Sequence, residues 1–384
     1  MIKTLSAQTF EITDAEYAVL ELLQKLDLEN NLLKNSVGIL SCHSDYLKEE
    51  VISLLSEKLP FRIAGATSCM NGTNEDFGSD ALSLQVLTSD DVTFELAVTD
   101  DLTTLHEEKI ISTYNELLSR HQTLPSLVLT FTPLMQLLAG DAIINSLKKV
   151  TSDKVPLFGT LSVDHTKTYE TSQTILDGKG YFNSLVLVAF FGPVKTRFEI
   201  AAIKNKLVQK EKAVITDSIN NLLVGVNGLS ALKYLSSLGL TEEVLNEGLG
   251  VIPLIVNYDG ENDEAARAVF ALTPEGYAVC GGEMPINTTI QVGTIDLDDV
   301  IETSSNALDK IGGDHALVIG YSCMARYLVL GTSLNTEYNL LKSKISAKTP
   351  FLFSYAGGEV TSTVVDNKYN NHVHNYSLIL LVIE

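Results

Sequence analysis

Apolar residues recur along the chain with two alternating periods. Over residues 15–26, Val19, Leu22, Leu23 and Leu26 fall at helical spacing, and Thr13 with Glu16 has the spacing of a capping box ahead of them. Residues 46–59 repeat the helical pattern with Leu47, Val51, Leu54, Leu55 and Leu59. Residues 104–118 open on a second capping-box spacing, Thr104 with Glu107. Between the helices lie short runs of Val, Ile, Leu and Phe at 37–41, 81–87, 127–132 and 316–321. Runs of that length bounded by polar residues predict strands, some buried on both faces. The fold class is therefore α/β, with mixed β-sheets and flanking helices.

Three stretches share one plan: strand, helix, Pro followed by an apolar strand, Gly turn, polar loop, strand. The first runs from strand 37–42 through Pro60 and Gly65 to strand 81–87. The second starts at strand 127–132, passes Pro156 and Gly159, and ends in 184–190. The third starts at 316–322, passes helix 335–346, Pro350, Gly357 and Gly358, and ends in 377–383. Proline suits the first residue of a strand, where no ladder donor is needed. These strand–helix–strand repeats fall in two related halves. Alternating runs at 92–98 and 197–203 predict hairpins with the end-strands that precede them, the first turning at Ser89–Asp91. The polar, basic stretch 204–212 marks a domain boundary, followed by helical segments at 229–238 and 241–247 and a strand at 251–257.

The chain has 384 residues, with 27 Lys+Arg against 48 Asp+Glu and a net charge of −21. Phosphate contacts need a basic surface, so nucleic acid is excluded as a partner, and docking on anionic membranes is disfavoured. The apolar runs are too short to span a bilayer, so no membrane insertion is expected, and the opening segment lacks an apolar signal core. Four cysteines without a CxxC pair suit reduced thiols in a cytoplasmic protein. Familiar nucleotide-binding, hydrolase and metalloprotease motifs are absent, and no cofactor or metal is expected. The acidic loop 259–264 resembles half of a calcium loop without the closing Glu, and reads as a solvated turn.

Ligands in α/β sheets gather beyond the carboxyl ends of strands. Ser41, Cys42 and His43 close the first strand, and Thr67, Ser68 and Cys69 close the strand after Pro60. Ser322 and Cys323 close strand 316–322, with Arg326 three residues on. Glu359 follows the Gly357–Gly358 turn, and His372, His374 and Asn375 precede the last strand. Cys42, His43 and Cys69 are zinc-type ligands, at a spacing that matches no standard zinc signature. Cys323 with His374 as base has the residue types of a nucleophile pair, which would make the chain a hydrolase. Arg326 and Glu359 each follow an apolar strand, where an unpaired charge is costly. Either they pair with each other at a domain seam, or Arg326 clamps a ligand carboxylate while Glu359 meets an amine.

At these residues the chain resembles the FIST family. Residues 320–331 (GYSCMARYLVLG) are similar to the SC-x-GR pattern of the FIST C-terminal domain, 350–360 (PFLFSYAGGEV) to its GE segment, and 372–379 (HVHNYSLI) to its H-N-x-[ST] approach to the last strand. Residues 37–87 resemble the FIST N-terminal domain. The resemblance implies an N-terminal helical extension over 1–34, a FIST N-like domain over 35–205 and a FIST C-like domain over 206–384. It also implies a sensory protein of signal transduction that binds a small ligand, of the class of an amino acid or similar small carboxylate, between its halves. The implied site residues are Ser322, Cys323, Arg326, Gly358, Glu359, His374 and Asn375, joined by Ser41, Cys42 and Thr67 at the equivalent strand ends. With no output domain attached, signalling would pass through a partner protein. The alternative is an interaction scaffold without a ligand. Ala325 stands where the family has Gly, and a methyl group there would narrow a ligand site.

Overall fold

The computed structural model describes residues 1–166, 168–204, 206–207, 211–240, 252–258 and 264–384. Three units of one design form the body. Unit 1 comprises β1 (Ile2–Thr9), α1 (Ala15–Leu26), α2 (Leu28–Asn31), β2 (Asn35–Cys42), α3 (Asp45–Lys48), α4 (Val51–Lys58), β3 (Arg62–Thr67), the short hairpin β4 (Asn71–Gly72) and β5 (Phe77–Gly78), and β6 (Leu82–Ser89). Unit 2 comprises β7 (Thr93–Val98), α5 (His106–Ser119), β8 (Leu127–Thr132), α6 (Gly140–Lys148), β9 (Leu157–Leu161), the hairpin β10 (Thr174–Leu176) and β11 (Lys179–Tyr181), and β12 (Val186–Phe191). Unit 3 starts at β13 (Thr196–Ala202). An inserted domain then carries β14 (Lys206–Leu207) to β22 (Thr289–Thr294) and α7 (Ala231–Ser237). The unit resumes with α8 (Leu297–Leu308), β23 (Leu317–Cys323), α9 (Met324–Leu330), α10 (Thr336–Lys344), β24 (Phe351–Ala356), the hairpin β25 (Glu359–Val365) and β26 (Lys368–His374), and β27 (Ser377–Ile383).

The three sheets have the orders β1-β6-β2-β3-β10-β11, β7-β12-β8-β9-β25-β26 and β13-β27-β23-β24-β4-β5. Each is an edge strand, a last strand and a parallel central pair, completed by a hairpin from another unit. Unit 2 lends its hairpin to unit 1, unit 3 to unit 2, and unit 1 to unit 3, which closes the ring. The central strands are buried on both faces, as their unbroken apolar runs require. One face of all three sheets meets in a shared core that includes Ile39, Phe131, Phe158, Tyr321 and Ile379. The other faces pack under the helices of their own units, and the inserted domain has its own core.

The repeats and mixed sheets expected from the sequence are present, but several local expectations are corrected. β6 and β7 do not pair as a hairpin, nor do β12 and β13. β7 pairs with β12 and β13 pairs with β27, so each edge strand joins the last strand of its own unit. The short turns carry the chain from one sheet to the next. The N-terminal extension is not helical throughout, because β1 pairs with β6 over eight residues. The first helix is capped by the Asp14 side chain accepting from the Tyr17 amide, not by Thr13. α5 begins after Leu105 in a left-handed conformation, without a side-chain cap from Thr104. The segment 241–247 and most of the acidic loop 259–264 lie outside the described residues.

Candidate functional site

Arg326 sits in the first turn of α9, directly after β23 ends, and this places its guanidinium inside the protein between α8 and α10. Arg326 and Glu337 are both fully buried, with Nη2 2.9 Å and Nε 3.0 Å from Glu337 Oε1. Nη1 donates to the carbonyls of Ala201 and Tyr376, and Nη2 also donates to the Val300 carbonyl, Thr303 Oγ1 and Ser304 Oγ. Ser322 Oγ donates to Glu337 Oε2 at 2.7 Å and closes the network. A guanidinium has five N–H donors, and all are used here. Arg326 therefore pairs with Glu337 rather than Glu359, and it has no hydrogen left for a ligand carboxylate.

Glu359 opens β25 at the seam between units 2 and 3 and is fully buried. Its Oε2 accepts from Ser377 Oγ at 2.7 Å, while Oε1 has no hydrogen-bond partner. Burial pushes the carboxyl well above its usual range. Burial first, and Glu359 second, push the adjacent Cys323 thiol up as well. A buried thiol that resists ionisation is a poor nucleophile, so the pairing with His374 as base loses its chemical basis. Gly358 keeps the same seam tight: its carbonyl accepts from the Leu161 amide at 2.8 Å, and an added Cβ would stand 3.3 Å from Asn375 Nδ2.

The residues of repeat one lie elsewhere. Ser41 is buried in β2, and Cys42 belongs to the helix-facing core of unit 1. Thr67 ties β3 to the borrowed hairpin, with its Oγ1 accepting from the Gln173 amide at 2.9 Å. His43 stacks on His165 at 4.2 Å. Cys69 lies against the Asp164 carbonyl, and among the described residues no group of three metal-ligating side chains comes together.

His374 and Asn375 do border a cavity. It has a volume of about 460 Å³ and lies between α6 of unit 2, the β26–β27 turn of unit 3 and the inserted domain. Its walls carry Asp141 and Lys148 from α6, Tyr258 and Arg267 from the insert, and Glu283. Arg267 ends β19 (Glu264–Arg267), the edge strand of the insert's sheet, and is the buried residue of that strand. Its Nη2 lies 3.2 Å from Asp141 Oδ2, with the two side chains 7% and 12% exposed. Nε donates to Tyr258 Oη at 2.7 Å and Nη1 to the Val373 carbonyl at 3.2 Å. These contacts occupy three of the five donors, so hydrogens remain for a ligand. Burial lowers Lys148 and raises Glu283, and it pushes His374 down to about 4. His374 is thus neutral at physiological pH.

The insert approaches this wall too closely for side chains. A Cβ on Gly281 would stand 2.3 Å from Asn375 Oδ1, and one on Gly282 would stand 2.4 Å from both Arg267 Nε and Asp141 Oδ2. Sequence reasoning missed Asp141, Lys148, Tyr258, Arg267 and Glu283. Two signals mark part of this wall in the sequence: Arg267 as the single charge within the apolar run 265–272, and the adjacent glycines at 281–282.

Fold and site together define a ring of three α/β units with a polar cleft capped by an inserted domain, an architecture suited to holding a small ligand. Family models identify the lineage: the FIST N domain matches residues 36–229 and the FIST C domain matches residues 230–362. The chain belongs to the FIST family, whose domains are sensory, small-ligand-binding modules of signalling proteins. Among curated proteins none matches the chain. A solved chorismatase structure, at 1.08 Å resolution, shows 9% identity and a TM-score of 0.38 over 100% of this chain and 98% of its own. At that score it says nothing about the ligand or chemistry of this chain. No helix among the described residues is long and apolar enough to cross a membrane.

Proposed function

We propose that this protein is a sensor whose small ligand, an amino acid or similar small carboxylate, lies in the cleft between units 2 and 3 and the inserted domain. The observation that carries this reading is Arg267, a buried arginine with unspent donors on the wall of the polar cleft of about 460 Å³. Arg267 and Lys148 take the carboxylate, and planar two-point recognition favours the guanidinium. Asp141 and Glu283 face the ammonium group. Neither Arg326 nor Ser322 contributes directly; both belong to the interior network behind α9. Arg267 also joins the insert to unit 2 through Asp141 and to unit 3 through the Val373 carbonyl. A ligand that draws on Arg267 competes with those contacts and so changes how the insert is held. A partner protein that reads the insert would receive the signal.

A thermal-shift screen against the twenty amino acids and common metabolites tests this. A ligand at a hundred times its dissociation constant adds about 2.7 kcal/mol, visible as a rise in melting temperature. One class of hits, weakened in Arg267→Lys, is the expected result. No shift across the panel would favour an interaction scaffold instead.

A further inference from the structure

The polar wall of the cleft closes on itself as a ring of contacts. Arg267 Nη2 lies 3.2 Å from Asp141 Oδ2, and Arg267 Nε donates to Tyr258 Oη at 2.7 Å. Tyr258 Oη donates in turn to the Glu283 carbonyl at 2.9 Å, and the Glu283 amide donates back to Asp141 Oδ2 at 3.0 Å. Asp141, Tyr258, Arg267 and Glu283 all line the cleft. They come from separate parts of the chain. Asp141 lies on α6, Tyr258 directly follows β18 (Leu254–Asn257), Arg267 ends β19, and Glu283 lies in the stretch after β21 (Ala278–Cys280). Gly282 lets them meet, because an added Cβ there would stand 2.4 Å from both Arg267 Nε and Asp141 Oδ2.

The Tyr258 phenol is the joint of this ring. It has a single hydrogen, which the Glu283 carbonyl takes, so toward Arg267 its oxygen can only accept. Burial pushes the phenol up to about 12, so it keeps that hydrogen at physiological pH. The guanidinium is thus held at Nε by Tyr258, at Nη1 by the Val373 carbonyl and at Nη2 by Asp141. Contacts at Nη1 and Nη2 alone would leave its plane free to swing about the line joining those atoms. The contact at Nε stops that swing. A fork whose plane is fixed in advance loses less freedom when it meets a planar carboxylate. Asp141 acts in the opposite sense, because its negative charge competes with a ligand carboxylate for the same guanidinium.

We propose, resting on the cleft reading above, that Tyr258 is a positioning residue whose hydroxyl sets the plane of the Arg267 guanidinium, so that the hydrogens left on Nη1 and Nη2 select a planar carboxylate over a carboxamide. Asp141 tunes the same selection downward.

Titration of the twenty amino acids and their primary amides into wild type, Tyr258→Phe and Asp141→Asn tests this. Each amide keeps the ammonium group and the side chain of its parent acid and changes only the carboxylate. The ratio of acid to amide affinity therefore reads the Arg267 contact, and a general loss of stability does not move it. For the amino acids that bind, wild type is expected to favour the acid by about tenfold. Y258F keeps the aromatic ring, whose centroid lies 5.4 Å from the guanidinium carbon, and loses the hydroxyl. It is expected to cut the ratio to about threefold or less. D141N keeps an acceptor for the Glu283 amide and removes the competing charge, so it is expected to raise the ratio above that of wild type, and it carries the test independently of any part Tyr258 has in folding. A ratio in Y258F equal to that of wild type, or a ratio that falls in D141N, overturns the positioning role while leaving the cleft standing. No binding to wild type by any amino acid, or a wild-type ratio near one, overturns the cleft reading and this role with it.

Discussion

Two buried arginines show how differently one side chain is used in this protein. Arg326 and Arg267 both leave water, both pair with a carboxylate, and both lie near the joint of unit 3 with its insert. Arg326 spends every N–H inside the protein, on Glu337, three carbonyls and two hydroxyls. Arg267 has one carboxylate, one phenol and one carbonyl, and it faces a cavity. Burial of a charge does not by itself distinguish a fastening from a binding group. The count of hydrogens left over does, and that count makes Arg326 a structural residue and leaves Arg267 with donors toward the cleft, where we propose the ligand lies.

The largest expected effect sharpens the structural half of this contrast. Arg326→Met leaves Glu337 buried and uncompensated and should cost about 3–5 kcal/mol in urea unfolding. A loss below about 1 kcal/mol would remove the distinction between the two arginines. Next comes the acid side of stability. His374 falls from its ordinary 6.5 to about 4 in the folded state, so the unfolded chain binds the extra proton. Stability should therefore fall as pH drops from about 6.5 to 4, by roughly 2–3 kcal/mol, and His374→Gln should flatten that slope. An unchanged slope would show that the ground beside Arg267 is not closed to charge.

Gly282→Ala attacks the Arg267 side alone. Its methyl group collides with Arg267 Nε and Asp141 Oδ2. The expected loss is about 1–3 kcal/mol by thermal melting, with weaker ligand binding. Arg267→Lys keeps the charge beside Asp141 but loses the planar fork, and titration should show about tenfold weaker binding, or about 1.4 kcal/mol. Ala325→Gly is the smallest change. Ala325 is buried on α9 within the helix–sheet core of unit 3, away from the cleft walls. Restoring the family's Gly should cost about 0.5–1 kcal/mol of stability and leave affinity as it is. A gain in affinity would return the ligand to the Arg326 side.

The fold was legible where one segment carries its own periodicity. The central strands 37–42, 127–132 and 316–322, with the proline-led strands after them, declare three copies of one unit. Pairing between units was not legible: β6 and β7 are adjacent alternating runs joined by a short turn, which is also how a hairpin reads. Two of the three exchanged hairpins leave no local trace, since β4, β5, β10 and β11 are only two or three residues long. The candidate site divides the same way. Motif residues at strand ends led to His374 and Asn375, which border the cleft, and to Glu359 at the seam of units 2 and 3. They also led to Arg326, because a sequence shows that a charge follows an apolar strand but not that Glu337, eleven residues on, awaits it. Asp141 and Arg267 come from unit 2 and the insert, 126 positions apart, so only the folded chain brings them together.

The most direct test of the contrast is a titration of the strongest amino-acid hit into wild type, Arg267→Lys and Ala325→Gly under one set of conditions. A ligand seated on Arg267 predicts about tenfold weaker binding to R267K and wild-type affinity for A325G. Equal affinity of wild type and R267K, with a change in A325G, would contradict the assignment and place the ligand beside Arg326.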